Sequence, residues 1–150
     1  MARLHLSVEI AAPVDRVFTF FVPQRMVYWY GAEMETEFEV QDGAVEFAVG
    51  QKVRITGRMA RHEVSLTAVV TRYEWLRALE WRFHDAYGVK GMQVWEMEPL
   101  GKLATRVTMR DDYELPGWFG HVWDWLLMRH AVARRNRIAL AKLKGLSERC

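Results

Sequence analysis

The stretch VKGMQVWEMEPLGKLATRVTMRD at residues 89–111 decides the fold of this chain. In both of its halves apolar and polar side chains alternate at a period of two, the pattern of a strand with one buried face. Proline and glycine at 99–101 separate the halves and are typical of a turn. The stretch therefore predicts two strands of an antiparallel sheet. Their inward positions are Val89, Gln93, Trp95 and Met97, then Leu103, Thr105, Val107, Met109 and Asp111.

The same period of two extends towards the N-terminus for about 80 residues in total. It predicts four more strands, at 34–40, 53–59, 64–70 and 79–83, joined by short turns such as Asp42-Gly43. Residues 3–10 alternate in the same way. Six consecutive strands form a meander, and this first strand makes a seventh.

Helical periodicity appears in three places. Pro13 precedes a short amphipathic helix, and Pro23 precedes a second one that reaches Gly31. From Trp118 to about Lys144 the period is 3.6, which gives a helix roughly 40 Å long at 1.5 Å per residue. The order is β-α-α-β-β-β-β-β-β-α. We expect one α+β domain over residues 1–150, with a curved sheet around the long helix and a pocket between them.

Bulk composition excludes several classes of protein. The chain is 51% hydrophobic and 27% charged, as in a globular protein, and its net charge of +2 does not predict a nucleic-acid partner. Cys150 is the single cysteine, so neither an internal disulfide nor a thiolate metal site is expected. No apolar run approaches the roughly 20 residues of a membrane span. We expect a cytoplasmic protein with no metal, no cofactor and no integral membrane segment.

Five short stretches occur in an order that is specific for a known fold. They are VEIAAP at 8–13, VF at 17–18, WEMEP at 95–99, TRVT at 105–108 and LAKLK at 140–144. With the element order, they make the whole chain resemble the START-like superfamily, which includes birch-pollen-allergen-type proteins, lipid-transfer START domains, coenzyme Q-binding proteins and polyketide cyclases. The resemblance implies a helix-grip fold. It also implies that the chain carries, senses or transforms a hydrophobic ligand, without a shared catalytic motif.

Aromatic side chains make up 13% of the chain, and eight methionines accompany them, a composition that suits either a dense core or a pocket wall. Projection of the long helix places Arg129 and Asn136 in the middle of its apolar face. A lone charge there needs a partner, and Asp111, inward on the last strand, is the candidate. These polar groups either orient a ligand or form a structural ion pair. The predicted ligand-binding residues are Trp29, Trp81, Phe83, Trp95, Met109, Asp111, Trp125, Arg129 and Asn136.

Three functions stay open at this point. The leading hypothesis is a binding protein for a lipid, isoprenoid or polyketide-like compound, with no catalytic residue. The alternative is a polyketide cyclase/dehydrase-type enzyme, in which Arg129, Asp111 or Tyr113 moves a proton. The third is a protein-interaction adaptor, because residues 118–150 carry seven basic and two acidic side chains. The five histidines do not collect at metal-ligand spacing, and His84 is expected to face solvent.

Overall fold

A computed structural model describes residues 2–31, 35–59, 62–86, 88–114 and 122–149 of the chain. In these residues seven antiparallel strands form one sheet, and three α-helices accompany it. The strands are β1 (Ala2–Ile10), β2 (Glu37–Val40), β3 (Lys52–Met59), β4 (His62–Glu74), β5 (Ala78–Asp85), β6 (Lys90–Pro99) and β7 (Thr105–Glu114); the helices are α1 (Val14–Phe18), α2 (Pro23–Met26) and α3 (Val122–Glu148).

The strand order β1-β7-β6-β5-β4-β3-β2 confirms the predicted meander, with β1 added beside β7. Several strand boundaries differ from the prediction, most clearly at the starts of β2 and β7. Strand β2 begins at Glu37, and Met34, which the prediction placed in this strand, lies outside the described residues. Leu103 was predicted to lie inward in the last strand, but it is 77% exposed in the turn before β7. The Pro-Leu-Gly turn simply needs more residues than the alternation indicated.

The second short helix ends earlier than predicted. Helix α2 stops at Met26, and Trp29 and Tyr30 follow it in turns held by backbone bonds to Met26. Helix α3 instead extends beyond Lys144 to Glu148, because its last turn is tied to the end of β1. Its predicted first residues, 118–121, lie outside the described residues.

The tie at the end of α3 uses charged groups. Glu148 Oε2 accepts hydrogen bonds from the backbone N–H of Ala11 at 2.7 Å and from Lys144 Nζ at 2.6 Å. Lys144 Nζ also donates to the carbonyl oxygen of Glu9 at 2.9 Å. The hydrogen bond from Lys144, followed by that from Ala11, lowers the pKa of Glu148. These contacts fix the C-terminal half of α3 across one end of the sheet.

The core lies between the sheet and α3. Val132, Ala139, Leu140 and Leu143 of α3 are buried and belong to the same apolar cluster as the inward side chains of the strands. Along β7 every second side chain is buried and the side chains between them are more exposed. The buried ones are Thr105, Val107, Met109, Asp111 and Tyr113. Among the described residues, no helix is long and apolar enough to cross a membrane.

Candidate functional site

A buried carboxyl group, that of Asp111, lies between the sheet and α3. Asp111 is inward on β7 and only 1% exposed. Its Oδ2 atom accepts hydrogen bonds from Gln93 Nε2 at 3.0 Å and from Asn136 Nδ2 at 3.2 Å. The same oxygen lies 3.6 Å from Arg135 Nη2, which makes an ion pair whose two side chains are nearly inaccessible. Strands β6 and β7 and helix α3 therefore meet at one oxygen atom.

Gln93 connects this carboxylate to the aromatic residues. Its Oε1 atom accepts hydrogen bonds from Tyr30 OH at 2.9 Å and from Trp81 Nε1 at 2.8 Å. The guanidinium of Arg135 lies 5.7 Å from the centre of the Tyr30 ring, a cation–π distance. We call the set Tyr30, Gln93, Asp111, Arg135 and Asn136 the polar cluster. It brings a guanidinium group and a carboxyl group together in the interior.

Several buried polar atoms at the polar cluster have no hydrogen-bond partner within the described part of the chain. They are Asp111 Oδ1, Arg135 Nε and Asn136 Oδ1, together with Tyr113 OH two residues further along β7. A buried polar atom without a partner costs about 1–3 kcal/mol. Proteins keep few such atoms, and each one calls for an explanation. Three of the four atoms belong to members of the polar cluster.

Burial also changes the acidity of the cluster. Loss of hydration raises the pKa of Asp111, and the charge of Arg135 and the bonds from Gln93 and Asn136 oppose this only in part. Burial likewise raises the pKa of the Tyr30 hydroxyl. The pKa of Tyr113 is raised by burial and then by the charge of Asp111, while Arg129 and Arg135 oppose the change. Asp111 is thus a carboxyl group that holds its proton more strongly than an exposed aspartate.

The aromatic residues pack against one another beneath the polar cluster. Trp81 and Trp95 lie 4.9 Å apart in an edge-to-face arrangement, and the Tyr30 ring contacts both at 5.9 and 5.7 Å. Trp29 contacts Trp95 at 6.2 Å and donates its indole N–H to the carbonyl of Phe20. All three tryptophans are 0% exposed. Where these rings pack together, they leave their faces covered by one another. Direct contact of a ligand with Trp29, Trp81 or Trp95 therefore stays a prediction, and it requires the rings to separate.

Two further predicted residues lie at the edge of this aromatic packing. Met109 is buried opposite Trp95 on the neighbouring strand. Phe83 is 8% exposed, and its ring covers Gly91. Leu66 on β4 faces inward but is only partly buried, as is Gly57 on β3. Both partly buried residues lie towards the end of the sheet at which β7 ends.

The structure brings two of the three predicted polar residues together and separates the third. Asp111 and Asn136 are hydrogen-bonded, as their inward positions indicated. Arg129 was predicted to lie in the buried face of the helix with Asp111 as its candidate partner, but its side chain is exposed and Arg135 makes the ion pair. Trp125 lies on α3, and its side chain lies outside the described residues.

Sequence reasoning missed Gln93, Tyr30 and Arg135 as members of the site. Gln93 could have been recognised in the same way as Asp111, because it is a polar residue at an inward position of a strand whose other inward residues are mostly apolar. No sequence pattern indicated Arg135, because it lies beside the apolar face of α3. It reaches the carboxyl group of Asp111 only through its long side chain. His84 is exposed at the end of β5, as predicted. Within the described ranges, no group of three or more His, Cys, Asp and Glu residues is placed to hold a metal ion.

Solved structures of the same fold resemble the chain over nearly its full length. The Zhui aromatase/cyclase from Streptomyces sp. R1128 matches with a TM-score of 0.75 and 20% identity, over 99% of this chain and 94% of that one. A conserved protein from Geobacillus kaustophilus matches with a TM-score of 0.75 and 13% identity, over 97% and 95%. A protein from Arthrobacter aurescens matches with a TM-score of 0.73 and 20% identity, over 97% and 85%. These similarities show the fold.

Sequence comparison shows the family. No curated protein matches the sequence significantly. The sequence profile of the family described as polyketide cyclase / dehydrase and lipid transport matches residues 1–148, which is nearly the whole chain and includes every member of the polar cluster. That agrees with the START-like resemblance of the sequence and with its helix-grip architecture. The chain belongs to the polyketide cyclase/dehydrase and lipid transport family.

Proposed function

We propose that this protein binds a hydrophobic small molecule between the sheet and α3, with the polar end of the molecule at the polar cluster. The family description covers both lipid transport and polyketide chemistry, and both involve largely apolar molecules. Apolar burial supplies affinity in such sites, while a few polar groups fix the orientation of the ligand. The location favoured here is beside Asp111 and Tyr113, whose side chains carry buried polar atoms without a partner in the described residues.

The observation that carries this proposal is the set of four buried atoms without a partner in the described residues. Asp111 Oδ1 and Asn136 Oδ1 are acceptors, Arg135 Nε is a donor, and Tyr113 OH is both. A purely structural ion pair is stabilised best when its remaining polar atoms are also hydrogen-bonded. A ligand that carries a hydroxyl or carbonyl group has the donors and acceptors that these atoms lack.

The experiment that tests the proposal is native mass spectrometry of the protein purified from its own host, with extraction of any retained molecule. A stoichiometric adduct that extracts into organic solvent supports the proposal and gives the ligand class. A bare protein that also leaves the fluorescence of apolar probes unchanged contradicts it, because an interior filled by its own tryptophans has no room for a guest.

A second function, a cyclase or dehydrase reaction, is favoured by the raised pKa of Asp111 beside the Tyr113 hydroxyl. Burial raises the pKa of this carboxyl group, and a carboxyl group that holds its proton more strongly can act as the acid that protonates a leaving hydroxyl group. The similar Zhui protein is named as an aromatase/cyclase. The test incubates a linear poly-β-ketone with the protein and with Asp111→Asn. A dehydrated product that forms with the wild type but not with Asp111→Asn supports the enzymatic function. Identical products in the presence and absence of the protein contradict it.

A further inference from the structure

A groove of about 780 Å³ crosses the outer face of the sheet, the face turned away from α3. Five consecutive cross-strand partners form it: Val69, Arg82, Met92, Asp112 and Arg3, on β4, β5, β6, β7 and β1. Asp112 lies between the inward residues Asp111 and Tyr113, which places this row on the opposite face from the polar cluster. The row of the groove therefore faces away from the polar cluster, while the inward residues Phe83, Gly91 and Tyr113 also border the groove.

The groove carries three basic side chains, Arg3, Arg82 and Lys90, and two acidic ones, Asp112 and Glu114. Its carboxylates already have partners: Asp112 Oδ2 lies 3.5 Å from Arg110 Nε, and Glu114 Oε2 lies 3.6 Å from Lys90 Nζ. Among the described residues, neither Arg3 nor Arg82 has an ion-pair partner. The two arginines stand at opposite ends of the Met92–Asp112 pair. Their Cα atoms are roughly 14 Å apart, since three spacings of about 4.8 Å separate β1 from β5.

The floor of the groove is less polar than its ends. Met92 and Val69 are partly buried there, and Thr71 is beside them. The Asp112 side chain is only 17% exposed, and its Oδ1 atom has no hydrogen-bond partner in the described ranges. A ligand that fits has acidic groups at both ends and an apolar middle that rests on Met92. The groove volume is that of a small-molecule site, which typically occupies about 300–1,000 Å³.

From this geometry we propose that the outer groove binds an elongated organic dianion, whose acidic groups pair with Arg3 and Arg82. Arginine recognises carboxylate and phosphate groups with paired hydrogen bonds, and both guanidinium groups are available on an exposed face. Such a ligand would occupy the protein at the same time as a molecule in the interior, because the sheet separates the two sites.

The test is an NMR titration of the amide signals with suberate, an eight-carbon dicarboxylate, compared with octanoate and 1,8-octanediol. We expect saturable shifts at Arg3, Arg82 and Met92, and suberate affinity at least about fivefold higher than that of octanoate, since the second carboxylate adds a charge-assisted contact. Arg82→Ala and Arg3→Ala should each weaken suberate binding about fivefold or more. Asp112→Asn should tighten it, because a like charge is removed from the floor.

Arg54→Ala is the matched control, since Arg54 is exposed on the same face of the sheet on β3 but does not line the groove. It should leave suberate affinity unchanged, and melting temperatures verify that each variant folds. The proposal is overturned by any of three results: no saturable shift at the groove residues, equal affinity for suberate and octanoate, or equal losses in Arg54→Ala and Arg82→Ala.

Discussion

Gln93 Nε2 donates a 3.0 Å hydrogen bond to Asp111 Oδ2, and the two residues are direct partners across strands β6 and β7. The other end of the same amide accepts from Tyr30 and Trp81. One side chain therefore holds the buried carboxylate and two aromatic residues in fixed positions. Because an amide has both donors and acceptors, glutamine satisfies all three neighbours, which no apolar residue of that size does.

Gln93→Leu should destabilise the fold strongly. The change leaves the hydroxyl of Tyr30 and the indole N–H of Trp81 without an acceptor and removes one donor from Asp111. Each unsatisfied buried group costs about 1–3 kcal/mol, so we expect the free energy of unfolding to fall by about 3 kcal/mol or more. Chemical denaturation measures this. In the double variant Gln93→Leu/Tyr30→Phe, the loss of unfolding free energy should be smaller than the sum of the losses in the two single variants. Strictly additive losses would show that the hydrogen bond between Tyr30 and Gln93 is not formed.

Asp111→Asn should change the pH dependence of stability in a defined direction. The folded pKa of Asp111 is raised above its ordinary value of 3.8, chiefly by burial. The native state therefore binds more protons than the unfolded chain between these two values, and the wild type loses stability as pH rises through that window. The difference in unfolding free energy, wild type minus variant, should fall as pH rises from about 4 and then level off. All other titrations cancel in the difference. A difference that rises with pH would show that Arg135 dominates and stabilises the ionised form.

Glu148→Gln should loosen the end of α3 at neutral pH. Its pKa is lowered by the hydrogen bond from Lys144 and then by that from Ala11, so its contribution is present above the ordinary value of 4.5 and is lost as pH falls through the folded value. We expect a lower melting temperature at pH 7 and no difference from the wild type in strong acid. Arg149→Gln, one residue further along and exposed, is the control and should melt as the wild type does. An equal loss in both variants would contradict a specific role for Glu148.

Gly91→Ala tests the close packing beneath Phe83. A Cβ atom at position 91 would overlap the backbone carbonyl oxygen of Asp112 and lie 2.8 Å from Phe83 Cζ. Because the overlapping oxygen belongs to the backbone of β7 and cannot rotate away as a side chain can, we expect a loss of about 2 kcal/mol or more in unfolding free energy. Gly145→Ala is the matched control, since nothing lies within 4 Å of its added Cβ in α3, and it should stabilise the protein by about 0.5–1 kcal/mol. A neutral Gly91→Ala variant would show that the sheet is more open there.

Period-two alternation was sufficient to predict the sheet, because each side chain on an inward phase must be apolar or paired. Asp111 broke that pattern, and so did Asn136 on the helix, and the structure places them in contact. Those residues were predictable from the sequence for a physical reason: a polar group at a buried position needs a partner, and the nearest one is usually another such group.

Arg129 could not be placed in the same way. Helical periodicity gives the angle of a residue around the axis, but not whether a sheet still lies opposite it. Arg129 is seven residues, or about 10 Å, before Asn136 along α3. Strand β7 ends at Glu114, three residues or about 10 Å beyond Asp111, so Arg129 lies level with the edge of the sheet and is exposed. Arg135 makes the ion pair instead, because it directly precedes Asn136 and is therefore level with Asp111 along the helix.

The most direct test of the proposed ligand site is the paired measurement of ligand affinity and unfolding free energy for Tyr113→Phe. Tyr113 OH has no hydrogen-bond partner among the described residues, so its removal should leave the unfolding free energy unchanged or raise it by up to about 1 kcal/mol. The affinity for the extracted ligand should fall about fivefold or more, as expected for a lost hydrogen bond. Tyr30→Phe is the control, since its hydroxyl is bonded to Gln93 and its loss should lower stability by about 1 kcal/mol. If Tyr113→Phe instead loses stability as Tyr30→Phe does and binds the ligand as tightly as the wild type, the hydroxyl is structural and the proposed ligand site is wrong.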